Sequence, residues 1–123
     1  MLFFSVLLSS SIFADLKNDL EKQIGPLMDK VIEWRHDIHQ NPELSNREFR
    51  TAKKVEEHLL SLGIKVETKV AYTGVVGLIK GDLPGPTIAL RADMDGLPVI
   101  EKTGLPFASK KMTEYLGQSV GVM

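Results

Sequence analysis

Apolar positions fall into two kinds of spacing along this chain. Leu16, Leu20, Ile24, Leu27, Val31, Trp34 and Ile38 recur every three or four residues, the mark of one helix face. Gly25-Pro26 interrupts the run and predicts a kink or two helices. Asn41-Pro42 ends it, because a residue before proline avoids helical angles. A second helix is expected from Ser45, where Ser45-Asn46-Arg47-Glu48 fits a capping box. Its expected buried stripe is Phe49, Ala52, Val55, Leu59 and Leu62, with Gly63 as the C-terminal cap.

The spacing then shortens. Ile64 to Val70 alternates apolar and polar residues, predicting a strand with one wet face. Val75 to Ile79 and Thr87 to Leu90 are apolar runs that read as further strands, joined by the turn formers Gly81-Asp82-Leu83-Pro84-Gly85-Pro86. Helices followed by strands give an α/β class. Strands apolar on both sides need cover on both faces. Two helices can cover one, and nothing after Leu90 reads as a helix for the other. The chain ends in the apolar Val120-Gly121-Val122-Met123. Either it is part of a larger domain, or it is a small two-layer domain with a partner on the open face.

Residues 1–14 read separately. Leu2 to Leu8 is nearly all apolar, Ser9 to Ser11 are small, and Ala14 precedes the charged Asp15. That order predicts a signal peptide cleaved after Ala14, hence a secreted or periplasmic protein with residues 15–123 as the mature part. No Lys or Arg precedes the apolar run, and a buried N-terminal helix or strand is the alternative. The run is too short to span a bilayer.

Composition narrows the functions. The 123 residues carry 15 basic and 16 acidic side chains, a net charge of -1. That balance leaves no footprint for nucleic acid or an acidic membrane. With no cysteine, disulfides and thiolate metal sites are excluded within the chain. There is no phosphate-cradling glycine loop and no serine elbow.

Three groups of residues remain for chemistry. Asp93 and Asp95 follow the third predicted strand, and alternation would point both carboxylates to one side. Such a pair needs a cation, either Arg91 or a divalent metal. Otherwise it is a solvated strand end that organises a turn. His36 and His39, with Glu43 nearby, could share a metal on one helix face, or could simply be solvated. His58 reads as surface.

Taken in order, the motifs resemble a known family. Arg35-His36-Asp37-Ile38-His39-Gln40-Asn41-Pro42-Glu43-Leu44 is similar to R-x-x-x-H-x-x-P-E-L. Glu48 and Thr51 fit E-x-x-T. Leu62-Gly63 and Thr73-Gly74-Val75-Val76-Gly77 match the next segments, and Arg91-Ala92-Asp93-Met94-Asp95-Gly96-Leu97-Pro98 is close to R-A-D-M-D-A-L-P. The resemblance is to the amidohydrolase branch of the zinc metallopeptidases, over residues 30 to 123. It includes hippurate hydrolases, N-acyl-amino-acid amidohydrolases and hydrolases of indoleacetyl-amino acids.

The resemblance implies an α/β catalytic domain carrying a smaller lid domain, with this chain supplying its first helices and strands. It implies hydrolysis of N-acyl amino acids to a carboxylic acid and an amino acid. Two divalent metal ions, zinc or manganese, would activate water, and a glutamate would move the proton. The parent enzyme could be a homodimer. Where Asp93-Met94-Asp95 aligns, related peptidases read H-x-D, their His binding metal and their Asp orienting it. The resemblance thus assigns Asp95 the orienting role, while Asp93 stands in place of the ligand. The branch takes its Cys and His ligands from a later motif, M-H-A-C-G-H-D-x-H, whose methionine aligns with Met123. The chain alone is therefore expected to hold no tight metal pair and to be inactive. The rival expectation is a non-catalytic secreted α/β module that binds a partner through an uncovered sheet face.

Overall fold

The computed structural model describes residues 15–123. The signal peptide expected over 1–14 lies outside them. They fall into two units, one reaching to His36 and one running from Asp37 to Met123.

The first unit is helical. Residues 15–24 are helix, Gly25–Leu27 form a turn of 3-10 helix with the proline in its first positions, and α1 runs over Met28–Gln40. The Gly-Pro interruption thus falls where the sequence puts it. Leu16, Leu20, Ile24, Leu27 and Val31 all remain about half exposed. Helix α1 carries a Lys30–Glu33 ion pair at 2.8 Å, with the Lys30 ammonium 5.8 Å from the centre of the Trp34 ring.

In the second unit α1 ends at Gln40, and α2 spans Phe49–Ser61. The helix starts later than the capping box predicts. Leu44 to Arg47 form a turn, closed by the Arg47 amide on the Leu44 carbonyl at 2.9 Å, with Asn46 at a left-handed φ of 62°. Glu48 takes the N-cap position but gives no side-chain cap, because its carboxylate turns inward. The Ser45–Glu48 box is therefore not formed. The far end follows expectation: the Gly63 amide bonds the Leu60 carbonyl and the Ile64 amide the Leu59 carbonyl. That is a Schellman cap, and the φ of 73° at Gly63 is what it needs.

Strands β1, Lys65–Val70, and β2, Gly74–Leu78, form an antiparallel hairpin. Its register slips between Glu67 and Val70, a bulge before the tight turn. Helix α2 packs on this hairpin, with Leu59 and Ile64 closing over Gly77. The expected stripe on α2 is only half realised. Ala52, Val55 and Leu59 are partly buried, whereas Phe49 and Leu62 are exposed.

The third predicted strand is absent. Residues 79–95 carry no regular structure, and Ile88 and Leu90 are 83% and 97% exposed. A strand exists only by pairing, and each described sheet has two strands already paired with each other. The second sheet is a hairpin that the sequence reading missed: β3, Met112–Tyr115, and β4, Gln118–Gly121, around Leu116-Gly117.

Candidate functional site

The segments that carry the sequence motifs meet around Gly96. Leu44 and Gly96 form a parallel bridge, and the Gly96 amide donates to the Glu43 carbonyl at 2.7 Å. On the other side, Leu97 and Met123 exchange backbone bonds of 2.7 and 3.0 Å. Residues 96–97 thus lie between the end of the first motif and the C-terminal residue. A Cβ on Gly96 would come within 3.0 Å of both Pro42 Cβ and Val122 Cγ1, so glycine suits this close approach where the family motif has alanine. Leu44 and Val122, both buried apolar residues, lie in the two segments that flank it.

Asp95 is exposed and immediately precedes that bridge. Asp93 is exposed as well, and Arg91 pairs with it within the same segment, Nη2 lying 3.0 Å from Oδ1. Because 87–95 is not a strand, alternation does not align the two carboxylates, and Arg91 supplies the cation for Asp93.

The two histidines of α1 have different surroundings. His36 Nε2 lies 3.4 Å from an Arg35 nitrogen. His39 is a third exposed, its Nε2 lies 3.1 Å from each carboxylate oxygen of Glu101, and its ring stands edge-on to Phe107 at 5.7 Å. His58 is exposed on α2, as expected.

Motif residues Glu43, Glu48 and Thr51 turn out to organise the turn into α2. Glu43 Oε1 accepts from the Arg50 amide at 3.0 Å, and Oε2 accepts from the Thr51 amide and hydroxyl at 2.8 and 3.0 Å. These are two of the free amides at a helix start, so Glu43 does the capping assigned to Ser45. Glu48 is 6% exposed and accepts from the buried Thr73 hydroxyl at 2.7 Å. Burial pushes its carboxyl up, but the Thr73 hydroxyl and the amides of Glu48, Asn46 and Arg47 outweigh that and hold it below the usual carboxylate range. Asp37 ties the two helices together, with Arg50 and Lys54 at 2.5 and 2.6 Å. The Lys54 contact leads in holding its carboxyl low, against a smaller desolvation effect.

Glu101 is a site residue that the sequence reading missed. Its side chain is fully enclosed. His39, the Thr103 hydroxyl and the Ser109 amide all donate to it. The Thr103 hydroxyl leads in holding its carboxyl below the ordinary range, ahead of opposing desolvation and ahead of His39. The only sequence signal is the pair of hydroxyl residues following within eight positions, which is too common to flag.

No group of three or more His, Asp or Glu side chains gathers among the described residues where an ion could be held. With Asp93 committed to Arg91 and His39 to Glu101, these residues do not by themselves fit a metal pair. No helix among them is long and apolar enough to cross a membrane.

The architecture is thus an α/β unit in which the three motif segments converge. Comparison with known proteins names its kin. No protein-family model matches the chain. Thermostable carboxypeptidase 2 of Saccharolobus solfataricus is 50% identical over 97 residues, 78% of this chain and 25% of that protein. Hippurate hydrolase of Campylobacter jejuni is 49% identical over 93 residues, 76% of this chain and 24% of that protein. The crystal structure of the Bacillus subtilis YxeP protein, a dinuclear metal-binding peptidase of the M20 family, superposes with a TM-score of 0.65 at 42% identity. The match covers 77% of this chain and 25% of that one. The homologues of this chain are thus M20 amidohydrolases and peptidases, and the chain spans about a quarter of the length of the relatives it matches.

Proposed function

We propose that residues 15–123 supply the first part of the catalytic domain of a metal-dependent amidohydrolase. The substrates in view are N-acyl amino acids of the hippurate kind, cleaved to a carboxylic acid and an amino acid. The observation that carries this reading is the convergence of residues 43–44, 96–97 and 123. Three motif segments, far apart in sequence, come to one place with Asp95 beside them. Asp95 would orient a ligand of a divalent metal, zinc or manganese. The Gly96 and Leu97 backbone bonds would hold Asp95 at that position. Because the residues present do not assemble an ion site, no hydrolytic step is assigned to them alone.

The test is direct. The 123-residue chain, incubated with zinc or manganese and with hippurate, should neither hydrolyse the substrate nor retain the metal through dialysis. Turnover, or about two tightly bound ions per chain, would overturn the division of labour proposed here. Export through residues 1–14 is part of the same proposal, and a mature protein beginning at Asp15 would support it. A second reading draws on the exposed apolar side chains of Ile79, Leu83, Ile88 and Leu90. They would suit a module that buries them against a partner. A cooperative unfolding transition together with a defined oligomer would favour that module.

A further inference from the structure

Glu101 links segments that are remote from one another in the chain. Its enclosed carboxylate would be costly to bury without donors, and His39 on α1, Thr103 and the Ser109 amide provide them. Ser109, itself buried, carries the connection onward. Its hydroxyl donates to the Val122 carbonyl at 2.6 Å and accepts from the Lys111 amide at 3.2 Å. The Val122 amide in turn donates to the Lys111 carbonyl at 3.0 Å. The next residue, Met123, is the one that exchanges backbone bonds with Leu97. An unbroken series of bonds therefore runs from His39 through Glu101, Ser109 and Val122 to the Leu97–Met123 pair, two residues from Asp95.

We infer that Glu101 is a positioning residue: it fixes residues 101–109 against α1 and, through Ser109, sets Val122 and Met123 against Leu97 beside Asp95. The inference rests on the amidohydrolase reading only for the role of Asp95. A carboxylate suits the task because it accepts several bonds at once, from a ring nitrogen, a hydroxyl and an amide.

Amide hydrogen exchange followed by NMR on the whole 123-residue chain tests it. In Glu101→Ala, protection of the Leu97 and Met123 amides should fall about tenfold, the effect of losing one such anchoring network. Protection in β1 and β2 should stay unchanged. Ser109→Ala, which keeps the carboxylate and removes only the hydroxyl link, should lower the same two amides. His39→Ala should also lower them, and His39→Gln, which restores a nitrogen donor, should recover most of the protection. Equal loss across β1 and β2 would mean that Glu101 merely adds general stability, and the inference falls. It falls too if Leu97 and Met123 are unaffected, or are unprotected in the unaltered chain. The readout involves neither metal nor hydrolysis, so turnover by the 123-residue chain would count against the proposed function and leave this inference standing.

Discussion

The carboxylate of Glu43 performs, from the loop before α2, the task usually given to a side chain at the helix start. Both oxygens are used, one on the Arg50 amide and one on Thr51. A negative charge there also faces the positive end of the helix dipole. Glu43→Ala should lower stability by about 1 to 2 kcal/mol, the usual cost of losing an N-terminal cap. Glu43→Gln should lose less, since the amide oxygen still accepts. Urea denaturation of the two variants checks this, and equal effects would contradict it. The sequence predicts a cap at this place with the correct chemistry but the wrong residue. The Ser45–Glu48 pattern is local, whereas Glu48 is drawn inward by Thr73, which lies 25 positions away. Glu101 was invisible for the same reason: its partner His39 is 62 positions away.

Elements were legible where the signal is periodic and the partner is close in sequence. Helix α1, helix α2, the Gly63 cap and the strands β1 and β2 all lie near their predicted places. Two errors have a shared cause. Apolar content suggests a strand at Thr87–Leu90, yet no described strand pairs with it. Pairing does form β3 and β4, where apolar content is modest. Their two-residue turn places Leu116 and Gly117 at φ values of 52° and 75°, the positive φ at both positions that a type I′ turn needs. Leucine is a poor occupant of that region, and its presence hides a turn that Asn-Gly would have announced. Leu116→Asn should stabilise the chain by about 0.5 to 1 kcal/mol, since Leu116 is 86% exposed and loses little packing. A drop in the denaturation midpoint would contradict this account of the turn.

At the scale of the whole molecule, polar staples do much of the joining. Asp37, Glu48 and Glu101 each bind donors from other segments, and each has its carboxyl held below the ordinary range. A lowered folded-state value means stability that is fully present above the unfolded value and is lost as pH falls through the folded one. Thermal stability should therefore hold from neutral pH down to the ordinary carboxylate range, then fall below it. Glu48→Gln should make that acid fall shallower. Stability that rises on acidification would contradict the charged state of these groups. Large apolar side chains meanwhile stay exposed along 79–90, in keeping with a chain that spans about a quarter of its relatives' length.

The central claim is that this chain supplies the first part of an amidohydrolase catalytic domain. Sequencing the gene and its transcript past the codon for Met123 tests that most directly. The account predicts a nearby frame encoding the His-Ala-Cys-Gly-His-Asp motif, whose Cys and His would join Asp95 at the proposed site. Coding sequence without that motif, or none at all, would contradict the claim, and the chain would then have to be assayed as a binding module in its own right.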